Sequence, residues 1–251
     1  MPTEVALHPE VRGSLTVYPI DTARELGVDA FVTDRFHGAS STPYDSLNLG
    51  DHVGDDPTLV AENRQLAARA IGADRLIIVR QVHGATVLEA QSATATSEAD
   101  GLIDDGDRAL AVLVADCIPV LMVDAASTRF GVVHAGWRGL AAGVIARAVE
   151  RFDDPDSVRV FLGPSISLAG YQVGPEVARH FFDVPDALVA DGGDRSRVDL
   201  RLVAAHQLVA AGVNDHHIER SVQVTDGGEL FFSDRAQRPC GRFGLVARRV
   251  S

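Results

Sequence analysis

The sequence contains no lysine; all 23 of its basic residues are arginine. That excludes a Schiff-base lysine, a pyridoxal-phosphate lysine and a phosphate loop of the G-x-x-x-x-G-K-[ST] type. Cysteine is scarce as well, with only Cys117 and Cys240, too few for a disulfide framework, so both are expected to be reduced thiols. No apolar run approaches the roughly 18 residues of a membrane span. The opening stretch MPTEVALHPEVRG lacks the basic start and apolar core of a secretory signal, so a cytoplasmic protein is expected. Net positive charge is missing too. At −12, the chain is a poor partner for nucleic acid or an anionic membrane surface. A small anionic ligand stays open, because it needs only a local cluster of donors.

What is present is an ordinary globular composition, 46% hydrophobic and 23% charged over 251 residues. No repeat or low-complexity linker divides it, so one domain over residues 1–251 is expected. Strands are predicted at 15–20, 30–33, 75–84, 109–124 (two pieces broken at 115–119, with Pro119 interrupting the ladder), 129–136, 158–166 (a strand and turn) and 241–250. Helices are predicted over 56–71, from Leu140 to Phe152, over 174–182 and over 200–212. The stretch 42–57 is polar, turn-rich and too long for a simple connector. Alternating strands and helices point to an α/β or α+β fold, with helices covering the sheets.

Three unusual residues stand where apolar runs stop. His83 ends RLIIVRQVH, Cys117 interrupts AVLVADCIPVLMV, and His134 ends FGVVH. Two imidazoles and a thiolate form a borderline-soft set suited to zinc, and three protein ligands leave a fourth position for water or substrate. Their spacing is not a finger pattern, so only the fold can bring them together. Three separate core or surface residues, or a metal-free Cys117–His134 nucleophile and base, fit the same pattern. After His134, AGWRG places Gly136, Arg138 and Gly139 at the start of a helix, a setting that favours an anion or simply close packing.

The blocks QVHG (81–84), ADGLI (99–103), VADCIPVLMVD (114–124) and HAGWRGLAAGV (134–144) resemble the YfiH/laccase-domain family. That family is described both as polyphenol oxidoreductase or multi-copper laccase and as purine nucleoside phosphorylase. SLNLGDHVGDDPTLVAENR (46–64), LGPSI…YQVG (162–174) and FFSDR…GR (231–242) extend the likeness over most of the chain. The resemblance implies a single domain of packed mixed β-sheets flanked by helices, of the YfiH/CNF1-like type. It implies a zinc site at His83, Cys117 and His134. It further implies phosphorolysis of adenosine, inosine, guanosine and methylthioadenosine, with adenosine deamination as a side activity. Arg35 and Asn48 fall on the family's loop arginine and asparagine.

On this reading Arg35, Asn48, Cys117 and His134 are the expected catalytic residues. Arg35, with Gly136, Arg138 and Gly139, is expected to bind phosphate, and Asn48 to position the ribose. Asp116 either orients a metal ligand or serves the turn. The other histidines, among them His37, His52, His206 and His216–His217, are expected to be solvated or capping. Three departures bear on substrate preference: RFHGAS replaces R-H-G-G-V-S, SLAGYQVG lacks the usual paired cysteines, and VQVTDGGEL replaces a cysteine-containing segment. Copper is able to replace zinc at such ligands. A multi-copper oxidase, however, needs many histidines, usually in H-x-H pairs, and the nine here contain none. The zinc-deaminase signature appears only as the fragments HPE (8–10) and RPCG (238–241). A cysteine hydrolase and a non-enzymatic metal-binding module remain as rivals. Preferred nucleoside, physiological metal and oligomeric state are not legible.

Overall fold

Hydrophobic alternation explains the layers. In Leu110–Val114, Leu110, Val112 and Val114 enter one core while Ala111 and Leu113 enter another. In Ile118–Asp124, Leu121 and Val123 join the first of these cores, and Ile118, Val120 and Met122 enter a third. Strands buried on both faces carry continuous apolar runs, which is why these two segments read as unbroken hydrophobic stretches.

The computed structural model describes residues 2–250. Among them, one antiparallel sheet has the order Glu10–Arg12, Leu15–Pro19, Val28–Thr33, Phe243–Arg249, Leu110–Val114. A mixed sheet runs Thr3–Val5, Ile218–Ser221, Val158–Leu162, Ile118–Asp124, Phe130–Ala135, Gly101–Asp104, Val87–Glu89. The two sheets share a core to which Val112 and Val114 come from the first and Leu121 and Val132 from the second. The outer face of the first sheet packs on the helix Pro57–Ala70, and that of the second on Val144–Val149 and Leu200–Ala210. A small third sheet joins Gln172–Val173, Ser196–Val198 and Leu188–Ala190. The expected mixed sheets flanked by helices are therefore present. No helix among the described residues is long and apolar enough to cross a membrane.

Four local expectations are corrected. Residues 75–84 form no regular strand; isolated bridges at Ile77 and Arg80 hold them. The Gln81 side-chain amide replaces the ladder there, donating to the Leu113 carbonyl at 2.7 Å and accepting its N–H at 2.8 Å. Pro119 does not break the sheet: it lies inside Ile118–Asp124, opposite His134, and its carbonyl accepts from Gly163. The break falls at residues 115–117, where the chain passes from the first sheet to the second. The helix expected from Leu140 is two short ones, Trp137–Ala141 and Val144–Val149, because Gly143 between them is left-handed at φ 83°. The helix expected over 174–182 shrinks to Pro175–Ala178 followed by a 3₁₀ turn.

The fold also buries one costly carboxylate. Asp34, directly after Val28–Thr33, is 2% exposed and, among the described residues, accepts only the Phe36 N–H, at 2.8 Å. Burial pushes its carboxyl up to about 6, beyond what that hydrogen bond restores. The folded state thus holds this proton more tightly than the unfolded chain does. Its contribution is favourable at low pH and is lost as pH rises through about 6. Asp34→Asn keeps an acceptor for Phe36 and removes the charge. It is expected to raise the melting temperature at pH 8 by about 4–8 °C, on the order of 2 kcal/mol, with the gain vanishing below about pH 4. Calorimetric melts across that range check it; an equal gain at every pH would sink the assignment.

Candidate metal and substrate site

His134 closes the strand Phe130–Ala135 and is 3% exposed. Its Nδ1 lies 2.8 Å from Oδ1 of Asp100, a fully buried residue just ahead of the strand Gly101–Asp104. The same carboxylate accepts the backbone N–H of His83 at 2.9 Å and of Gly84 at 2.6 Å. These bonds pin a turn in which His83 adopts φ 58°, a left-handed conformation that costs energy outside glycine. Burial alone would raise the Asp100 carboxyl, but the His134 hydrogen bond and charge and the two N–H donors together hold it below the usual carboxylate range. A charged Asp100 keeps the proton on Nδ1 of His134 and leaves Nε2 for another partner.

That partner is Cys117, at the crossover between the sheets. Ligand atoms of His83, Cys117 and His134 all lie within 4.8 Å of one another, graded from exposed His83 to buried His134. Tetrahedral bonds of about 2.0–2.3 Å place such atoms about 3.3–3.7 Å apart, so only a small closure separates this cluster from a zinc geometry. Burial raises the Cys117 thiol, yet the His134 charge and hydrogen bonds from both histidines bring it well below its ordinary value. Burial likewise lowers His134, and the Cys117 and Asp100 charges overcome it and raise the ring. The metal-free cluster therefore favours thiolate beside imidazolium, and a divalent cation would take the place of that proton.

Gly136 leaves the space. A Cβ there would stand 2.8 Å from Cys117 Sγ and 3.0 Å from His83 Nδ1. The residues thus fit a borderline-soft ion by donor type, orientation and room. The cluster opens into a cavity of about 390 Å³. Its walls include Gln81, Trp137, Arg138, Tyr171 and Arg235, and also His52, which the sequence suggested was merely solvated.

The structure does not bring Arg35 and Asn48 into this cavity. Arg35 stacks on Phe232 at 4.7 Å and donates to the carbonyls of Asp45 and Gly228. Asn48 is fully buried; its amide donates to Gly50 O and Asp55, and its oxygen accepts from Gly50 N and Arg242 N. Both close the 34–56 loop. Arg138 does line the cavity, and Gly139 is buried against the Gly84 carbonyl, 3.0 Å from where its Cβ would be. Asp116 serves the turn: it accepts from the Thr225 and Ser233 hydroxyls and the Arg235 N–H at 2.6–2.7 Å. Asp100, which holds the His134 ring, was not singled out by the sequence.

The family model described as multi-copper polyphenol oxidoreductase laccase matches residues 29–249. The chain belongs to this YfiH/laccase-domain family. A Mycobacterium tuberculosis relative named purine nucleoside phosphorylase is 39% identical over 231 residues, covering 85% of this chain and 89% of that protein. An Escherichia coli K12 relative, purine nucleoside phosphorylase YfiH, is 37% identical, covering 86% and 91%. Among solved structures, YlmD from Geobacillus stearothermophilus superposes with TM-score 0.89 at 31% identity, covering 98% and 99%. A Bacillus licheniformis hypothetical protein YfiH gives the same TM-score at 27% identity, covering 97% and 99%.

Asp100→Asn keeps the shape but loses the charge that orders His83 and His134. It is expected to weaken zinc binding by about 10–100-fold, measured by competition with a chromogenic chelator while circular dichroism reports the fold. Affinity within twofold of wild type would show that Asp100 does not orient the ligands.

Proposed function

We propose that this protein is a zinc-dependent purine nucleoside phosphorylase acting on adenosine, inosine, guanosine and methylthioadenosine, with adenosine deamination as a side activity. The observation that carries the reading is the convergence of His83, Cys117 and His134 beneath an arginine-lined cavity of nucleoside size. Relatives at 37–39% identity bear the phosphorylase name. In the reaction a phosphate oxygen bonds to ribose C1′ as the bond to purine N9 breaks. The electron pair leaves with the base, which takes up a proton.

Catalysis of this kind needs two reactants held in line and charge stabilised where it develops. His83, Cys117 and His134 would hold the ion, which supplies Lewis-acid polarisation when bound. Asp100 orients two of those ligands. The aromatic walls Trp137 and Tyr171 offer apolar surface to the nucleoside and exclude water, while the arginines supply positive charge for phosphate. Arg35 and Asn48 contribute by fixing the loop and not by touching substrate.

The side chains present do not supply the ligands that the oxidase chemistry in the family description needs. Among the described residues, His83–Cys117–His134 is the single cluster of three or more metal-ligating side chains, short of a blue copper centre plus a trinuclear cluster. One observation favours a second reading. Asp100, His134 and Cys117 stand in the order of a carboxylate, base and thiol nucleophile, as a cysteine hydrolase would require. That reading predicts metal-independent turnover lost on thiol alkylation.

Chromatography of inosine and adenosine incubated with the protein, with and without phosphate, tests the proposal. Phosphate-dependent release of hypoxanthine and adenine is expected, and Cys117→Ala is expected to lose bound metal and at least 100-fold in turnover. Full activity in metal-free Cys117→Ala protein would exclude the zinc role. No base release from folded, metal-loaded protein would overturn phosphorolysis.

A further inference from the structure

Four arginines line the cavity, and they differ in what neutralises them. Arg238 and Arg242 both pair with Asp234, at 2.6 and 3.2 Å. Arg138 and Arg235 have no carboxylate partner among the described residues. The Arg235 guanidinium donates to the carbonyls of Gln172, at 3.0 Å, and Gly170, at 3.4 Å. Each of these two guanidinium groups lies instead on an aromatic ring, Arg138 over Trp137 at 4.5 Å and Arg235 over Tyr171 at 5.2 Å. A ring face steadies a guanidinium without cancelling its charge, so donors stay available to a ligand.

The backbone beneath Arg235 is fixed as well, because Asp116 accepts its N–H at 2.7 Å together with two hydroxyls. Both guanidinium groups line the same cavity as Tyr171 and the His83, Cys117 and His134 side chains. The two unpaired cations therefore share that cavity with the ligand cluster. In a chain of net charge −12, such a concentration of positive charge selects for a compact anion.

We propose that Arg138 and Arg235 form a cradle for a dianionic phosphoryl group beside the His83–Cys117–His134 cluster. Their N–H groups donate to its oxygens as charge-assisted hydrogen bonds. This deepens the phosphorolysis reading, on which it rests for its biological meaning, by naming where phosphate is held. The group comes either from inorganic phosphate or from the 5′-phosphate of a nucleotide.

Calorimetric titration of the metal-loaded protein with inorganic phosphate, and separately with adenosine 5′-monophosphate, tests the cradle. Arg138→Gln and Arg235→Gln are each expected to raise the phosphate Kd at least tenfold, with metal content and melting temperature retained. Arg235→Lys should recover part of the loss, and Arg147→Gln, on the exposed surface, should change nothing. Tighter binding of the nucleotide, lost in the same variants, would identify its phosphoryl group as the occupant. Equal or weaker nucleotide binding would identify inorganic phosphate. Absence of binding to the wild type, or unchanged binding in both glutamine variants, overturns the cradle. Phosphate-dependent base release with an unchanged phosphate KM in those variants would also overturn it while leaving phosphorolysis standing. Phosphate binding lost in the variants of a protein that releases no base would do the reverse.

Discussion

The carboxylate of Asp100 reaches both histidine-bearing segments, and the geometry of the site depends on that reach. One oxygen meets the His134 ring and the His83 N–H; the other meets Gly84. A fully buried charge is tolerable only because these donors replace its water, and removing one partner of such an arrangement commonly costs about 3–5 kcal/mol. Backbone pairing supports the same junction, since the His134 N–H donates to the Asp100 carbonyl at 2.7 Å. The strands Gly101–Asp104 and Phe130–Ala135 thus enter their ladder with His134 already oriented.

Two carboxylates divide the work around the cavity. Asp100 organises the soft ligands, and Asp116 organises the loop that brings in Arg235. Both lie at points where the backbone leaves regular structure, and Asp116 itself has φ 87°. The result is an electropositive pocket within an acidic protein. Steering of a small anion toward it would therefore depend on local donors, because the field of the whole chain opposes approach.

The three candidate ligands were legible in the sequence because each ends or interrupts an apolar run, and polar residues at such points are conspicuous. Their convergence was not, because it depends on the crossover at residues 115–117 and on a segment held by Gln81 instead of a ladder. Pro119 misled for a related reason: a proline near the beginning of a strand can join the sheet through its carbonyl. Asp100 gave no signal, since an aspartate ahead of an apolar strand reads like any turn residue. Asn48 is the opposite case. A loop asparagine in a recognisable block suggests a ligand contact, yet its amide is consumed by the loop it closes.

The crossover also bears on what the cluster will accept. Cys117 leaves one sheet for the other, His134 belongs to the second sheet, and His83 lies on a segment tied to the first through Gln81 and Ile77. The aperture between the ligands is therefore set by the spacing of two close-packed layers, which yield little to small forces. The separation of these three side chains is therefore tied to the packing of the two sheets as well as to the residues themselves, and any ion they hold would feel that packing.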